Sequence, residues 1–133
     1  MKYTVLGGGS WATAIVKILS ENLPEITWYM RNELAISHIK KYKHNPNYLS
    51  SVELHTDKIH LTSNINEAVE WADYVIFVIP SAFLVTELSK LTVPLKDKVI
   101  FSAIKGIVPE SGLVVGEHLM EAYGINPMNI GVI

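Results

Sequence analysis

The sequence has no cysteine, which excludes disulfides and thiolate metal sites. It has no apolar run approaching the ~20 residues needed to span a bilayer as a helix. Its first residues, Met1-Lys2-Tyr3-Thr4-Val5-Leu6, are too short an apolar stretch for a signal peptide, and glycines interrupt them at once. Excess charge is also missing: 11 Lys and Arg face 13 Asp and Glu, for a formal net charge of -2. Nothing global therefore favours nucleic acid or an anionic membrane, and an anionic ligand needs a local site. The histidines His38, His44, His55, His60 and His118 show no H-x-x-x-H spacing, so no metal site is expected and most read as surface residues. Ser81 lacks a G-x-S-x-G elbow. Lys40, Lys41 and Lys43 read as a solvated helix end. These absences describe a soluble cytoplasmic protein.

What is present is an alternation. The 133 residues, 49% hydrophobic and 18% charged, have the length and composition of one globular domain. Short β-prone runs occur at 3–6, 26–30, 59–62, 74–79, 98–102 and 130–133. Helical patterns lie between them at 11–19, 33–41, after Asn64, at 83–91 and at 113–123. The first helix would bury Ala14, Ile15, Ile18 and Leu19. Asn64 followed by Glu67 reads as a capping box, and Gly124 as a helix stop. Residues 42–57 read as a polar loop. The run from Tyr74 to Ile79 is almost unbroken apolar, as in a parallel strand covered on both faces. Strict βα alternation predicts an α/β, doubly wound, mostly parallel sheet, the Rossmann fold.

The first β-to-α turn carries Gly7-x-Gly9-x-x-Ala12, matching G-x-G-x-x-G/A in the context that makes it specific. Gly7 suits the tight turn, Gly9 lets a pyrophosphate approach the backbone, and Ala12 lets the helix pack closely. The N–H groups of Ser10, Trp11 and their neighbours would face the phosphates. Trp11 could cover a cofactor or be buried against another domain. NAD-binding domains place a carboxylate about 20 residues further on, for the ribose 2′-OH. Here the second strand ends Tyr29-Met30-Arg31-Asn32, with no carboxylate and the chain's one arginine. Arg31 favours NADP(H) through bidentate contact with a 2′-phosphate, or is a solvated surface group. Lys105, after the fifth strand, could neutralise a phosphate, polarise a carbonyl or be a solvated loop residue.

Four strings occur in one order: Gly7-x-Gly9-Ser10-Trp11-x-Thr13-Ala14, Asn45-Pro46-x-Tyr48-Leu49, Val78-x-Pro80-Ser81 and Ser102-x-x-Lys105-Gly106-x-x-Pro109-Glu110-x-Gly112. Together they resemble bacterial NAD(P)-dependent glycerol-3-phosphate dehydrogenase over the whole chain. The resemblance implies hydride transfer between NAD(P)H and dihydroxyacetone phosphate, giving sn-glycerol 3-phosphate for phospholipid synthesis. It implies that Gly7, Gly9, Ser10, Trp11, Arg31, Tyr48 and Lys105 line an NADP(H) or NAD(H) site. Lys105 would also reach the substrate, and Pro80 and Phe83 would lie near the nicotinamide.

Family members commonly have Ala in place of Gly8 and often Gly in place of Ala12, both small changes. They also continue into a helical C-terminal domain bearing the catalytic lysine and most of the substrate site. No residue here matches that lysine, and the chain ends within a strand at Gly131-Val132-Ile133. One domain, 1–133, of a two-domain protein is thus expected, binding cofactor without catalysing turnover. A homo-oligomer is compatible with this reading. Two other functions fit the fold: the cofactor domain of another hydroxyacid or ketoacid reductase, and a stand-alone NAD(H)-sensing module. The Asn45-Pro46 and Lys105-Gly106 pairs argue against the first, the unfinished last strand against the second.

Overall fold

The structure, a computed structural model, describes residues 1–133. Six strands are present: β1 (Tyr3–Leu6), β2 (Ile26–Tyr29), β3 (Ile59–Thr62), β4 (Tyr74–Phe77), β5 (Val99–Ser102) and β6 (Ile130–Val132). Five helices connect them: α1 (Ser10–Asn22), α2 (Glu33–Tyr42), α3 (Ile65–Trp71), α4 (Ser81–Leu88) and α5 (Val115–Tyr123). A 3-10 turn, Pro127–Asn129, leads into β6. No helix is long and apolar enough to cross a membrane.

The sheet order is β3-β2-β1-β4-β5-β6, and every neighbouring pair is parallel. From β1 the chain winds outward through β2 and β3, then returns to β4 on the other side of β1. This reversal opens a crevice at the carboxyl ends of β1 and β4, where doubly wound sheets bind ligands.

Alternate side chains divide the core between the two faces. Val5, Trp28 and Ile76 pack with Ala12, Val16, Ile36 and Ile39 of α1 and α2. Leu6, Tyr29, Val75 and Phe77 pack with residues of α3, α4 and α5, including Ala68, Leu84, Leu88 and Leu119. Period two in a strand makes this division, and helices on both sides explain why the strands carry so few polar residues. Each fully buried side chain of this size contributes about 1.5–3 kcal/mol.

Several boundaries differ from the sequence expectations for local reasons. The α1 helix starts at Ser10 and buries Ala12, Thr13, Ile15, Val16 and Ser20, while Ile18 is exposed. The buried stripe is therefore displaced from the expected Ala14, Ile15, Ile18, Leu19 face. Thr13 and Ser20 can be buried because their hydroxyls donate to the carbonyls of Gly9 and Lys17. The α4 helix starts at Ser81 directly after Pro80 and ends at Leu88, where Lys90 and Leu91 close a tighter turn onto Glu87 and Leu88. The α5 helix starts two residues late because Val114 is drawn into a bridge with Ile107.

The expected capping box at Asn64 is half formed. Its side chain accepts from the N–H groups of Asn66 and Glu67, but its own N–H donates to the Thr62 hydroxyl. The Glu67 carboxylate instead bonds His60, which holds its pKa below the usual value. Only His60 among the histidines is exposed; the other four are half-buried, and the Nε2 of His38 has no partner.

Candidate functional site

At the first turn Gly7 has φ +133°, an angle open to glycine. A β-carbon there would lie 2.5 Å from the carbonyl oxygen of Val78. The Gly7 N–H donates to the Tyr29 carbonyl at 3.0 Å, and its carbonyl accepts from the indole N–H of buried Trp28 at 2.6 Å. Both bonds tie the turn to β2, and the Val78 carbonyl just past β4 closes its other side.

Gly9 is different. It is the N-cap of α1, its backbone is extended, and no atom lies within 4 Å of where its β-carbon would be. The backbone N–H groups of Gly8, Gly9, Ser10, Trp11 and Ala12 find no acceptor in the chain. No acidic side chain occupies the first turn of α1 either. Five free donors at the positive end of a helix dipole form an anion cradle.

Asn45 fixes that cradle from the loop after α2. It is fully buried, and its Nδ2 donates to the Gly8 carbonyl at 3.3 Å and to the Thr13 hydroxyl at 3.0 Å. Its Oδ1 accepts from the N–H groups of Asn47 and Tyr48, at 2.9 and 3.3 Å. One amide therefore ties the glycine turn to the segment bearing Tyr48. An Asn before Pro is a local signal for such an Asx turn, but its partners Gly8 and Thr13 are 37 and 32 residues away.

The cradle forms the floor of a cleft of about 690 Å³, within the range of small-molecule sites. Gly7, Gly9, Ser10, Trp11, Arg31, Tyr48, Pro80, Phe83 and Lys105 all line it. Trp11 and Phe83 are 49% and 50% exposed, so both stand at the rim. Trp11 lines the cleft and is half exposed, which fits both a cover over a cofactor and a contact with another domain. Lys105 is exposed and makes no hydrogen bond or ion pair within the chain. Arg31 and Lys105 follow strands three places apart, which separates the strand ends by roughly 14 Å at about 4.8 Å per strand. The cleft therefore has a cation toward each end and an anion cradle between.

Arg31 is not a free surface group. Its side chain is 69% exposed, yet its Nε lies 3.8 Å from Oε1 of Glu87. Its Cζ lies 5.7 Å from the Phe83 ring centroid. Glu87 comes from α4, and its side chain is only 6% exposed. Its Oε2 accepts from the Tyr29 hydroxyl at 2.6 Å and from Lys90 Nζ at 3.2 Å. Burial, reinforced by the hydrogen bond to Glu87, pushes the Tyr29 pKa up, so this phenol stays a donor. The carboxylate missing from the end of β2 thus reaches the same wall from a residue 58 positions from Tyr29. No local spacing marks it.

Comparison with known proteins identifies the family and the fold. A family model described as the N-terminus of NAD-dependent glycerol-3-phosphate dehydrogenase matches residues 2–133. A glycerol-3-phosphate dehydrogenase [NAD(P)+] of Nitratidesulfovibrio vulgaris is 35% identical over 129 residues, which are 96% of this chain and 39% of that protein. The chain thus spans about two-fifths of the length of that relative. Among solved structures, a Plasmodium falciparum glycerol-3-phosphate dehydrogenase shares the fold with a TM-score of 0.82 at 24% identity, covering 94% of this chain and 38% of that one. The Dunaliella salina protein DsGPDH superposes with a TM-score of 0.83 at 25% identity, over 98% of this chain and 28% of that one.

Proposed function

The chain belongs to the NAD-dependent glycerol-3-phosphate dehydrogenase family, to the part that forms its N-terminus, and we propose that residues 1–133 hold NAD(H) or NADP(H) for hydride exchange between dihydroxyacetone phosphate and sn-glycerol 3-phosphate. The observation that carries this reading is the row of unpaired N–H groups from Gly8 to Ala12, opening onto the cleft at the β1/β4 crevice. A pyrophosphate fits that cradle in charge, and the bare α-carbon of Gly9 lets it approach.

Arg31 would meet the adenosine. Phe83, which the resemblance puts near the nicotinamide, would flank the adenosine instead, because its ring lies 5.7 Å from the Arg31 guanidinium. Trp11 and Tyr48 would cover the cleft from the rim. Pro80 and Lys105 would face the nicotinamide end. When bound, the reduced nicotinamide supplies the hydride that the protein itself lacks. Lys105 has no partner to neutralise it, so it is available to a substrate phosphate or carbonyl oxygen. The catalytic lysine that the resemblance implies and most of the substrate site would lie outside residues 1–133. Such an enzyme would work in the cytoplasm and supply glycerol 3-phosphate for phospholipid synthesis.

Calorimetric titration of residues 1–133 with NADH and with NADPH tests this. At least one is expected to bind with a Kd of about 1–100 μM. Adding dihydroxyacetone phosphate to the complex should leave absorbance at the reduced-nicotinamide band unchanged. No binding of either dinucleotide at about 1 mM would refute the cofactor assignment. Steady oxidation by residues 1–133 alone would refute the division of labour.

A further inference from the structure

Glu87 is the one buried carboxylate on the cleft wall, and the proposed reaction does not use it. Its two oxygens are differently engaged. Oε2 is taken by Tyr29 and Lys90, while Oε1 faces the Arg31 guanidinium without a hydrogen bond to it. Arg31 has Glu87 and the Phe83 ring as its partners. It is the only arginine available to a 2′-phosphate, and an anion already sits beside it.

We propose that Glu87 is the specificity-determining residue at the adenosine end of the cleft: it engages Arg31 and so favours NAD(H), with a free ribose 2′-OH, over NADP(H). This rests on the cofactor-binding reading above. A 2′-phosphate carries about -1.5 to -2 charges. To use Arg31 it must displace Glu87 and then remain close to a buried negative charge that salt screens poorly. Tyr29 and Lys90 hold Glu87 in place, so it cannot swing away to make room. A ribose diol meets neither obstacle. Arg31 by itself suggests a preference for the phosphorylated cofactor, and the residue facing it reverses that reading.

The test is the ratio of Kd for NADPH to Kd for NADH, by fluorescence titration of residues 1–133. The native chain is expected to bind NADH at least as tightly as NADPH. Glu87→Gln, nearly the same shape without the charge, should lower the ratio tenfold or more. Arg31→Ala, on a side chain 69% exposed, leaves Glu87 bonded to Tyr29 and Lys90 and should weaken NADPH binding less than fivefold in the native background, because Arg31 is already engaged.

A native preference for NADPH overturns the inference. So does a smaller shift in folded Glu87→Gln, or a loss of fivefold or more in Arg31→Ala. If Glu87→Gln does not fold, the Arg31→Ala result decides. If neither dinucleotide binds the native chain, the cofactor-binding reading fails instead, which is a distinct outcome.

Discussion

Gly9→Ala is expected to leave the fold intact and to weaken dinucleotide binding about 100-fold or more, a loss of about 2.7 kcal/mol. The backbone at Gly9 has φ -84° and ψ -168°, which any residue adopts without strain. The added methyl group would meet no atom of the protein within 4 Å. Its cost to folding is limited to the weaker N-cap propensity of alanine, at most about 1 kcal/mol. The methyl group would stand on the cleft floor, between the free N–H groups and any anion approaching them. Circular dichroism melting should show a Tm within about 5 °C of the native chain, and titration with NADH should show the loss. Native-like affinity in the folded variant would mean that nothing binds against Gly9.

Gly7→Ala should do the reverse, destabilising the protein by about 3–5 kcal/mol whether or not a ligand is present. Two costs add. A non-glycine residue at φ +133° is strained by about 1–3 kcal/mol. The new β-carbon would also lie 2.5 Å from the Val78 carbonyl oxygen. That oxygen is backbone at the end of β4, where the Val78 N–H is bonded to Leu6 at 2.8 Å, so it cannot yield freely. Displacing the turn instead would stretch its bonds to Tyr29 and Trp28. Domain stabilities are about 5–15 kcal/mol, so the variant should unfold at clearly lower urea concentration than the native chain. A stability within about 1 kcal/mol of native would show that the turn is looser than described. The two glycines share one motif but should fail through different measurements, one in stability and the other in binding.

This contrast shows what was legible in the sequence. The βα alternation, the glycine turn and the apolar β4 run are local patterns, and they lead to a doubly wound, mostly parallel sheet through general rules of winding. Gly7, Arg31, Pro80 and Lys105 lie just past the carboxyl ends of β1, β2, β4 and β5, so the sheet brings them to one cleft, while Tyr48 reaches it from the loop after α2. Interactions between distant segments were not legible. Glu87 reads locally as the lone acidic residue of α4, and only packing against β2 makes it the partner of Tyr29 and Arg31. Asn45 was visible as part of a string, but its grip on Gly8 and Thr13 depends on how the loop after α2 folds back. The buried stripe of α1 was misplaced because Thr13 and Ser20 look polar until their hydroxyl partners within the helix turn are known.

The central claim is that the unpaired amides from Gly8 to Ala12 receive a dinucleotide. The most direct measurement is an amide ¹H–¹⁵N correlation spectrum of residues 1–133 during titration with NADH. The largest shifts should fall on Gly8, Gly9, Ser10, Trp11 and Ala12, with smaller ones at Arg31, Tyr48 and Lys105. Asp73, Tyr74 and Val99, at the opposite end of the sheet, should not move. Unchanged glycine-turn amides at saturating NADH, or shifts concentrated at that opposite end, would contradict the claim.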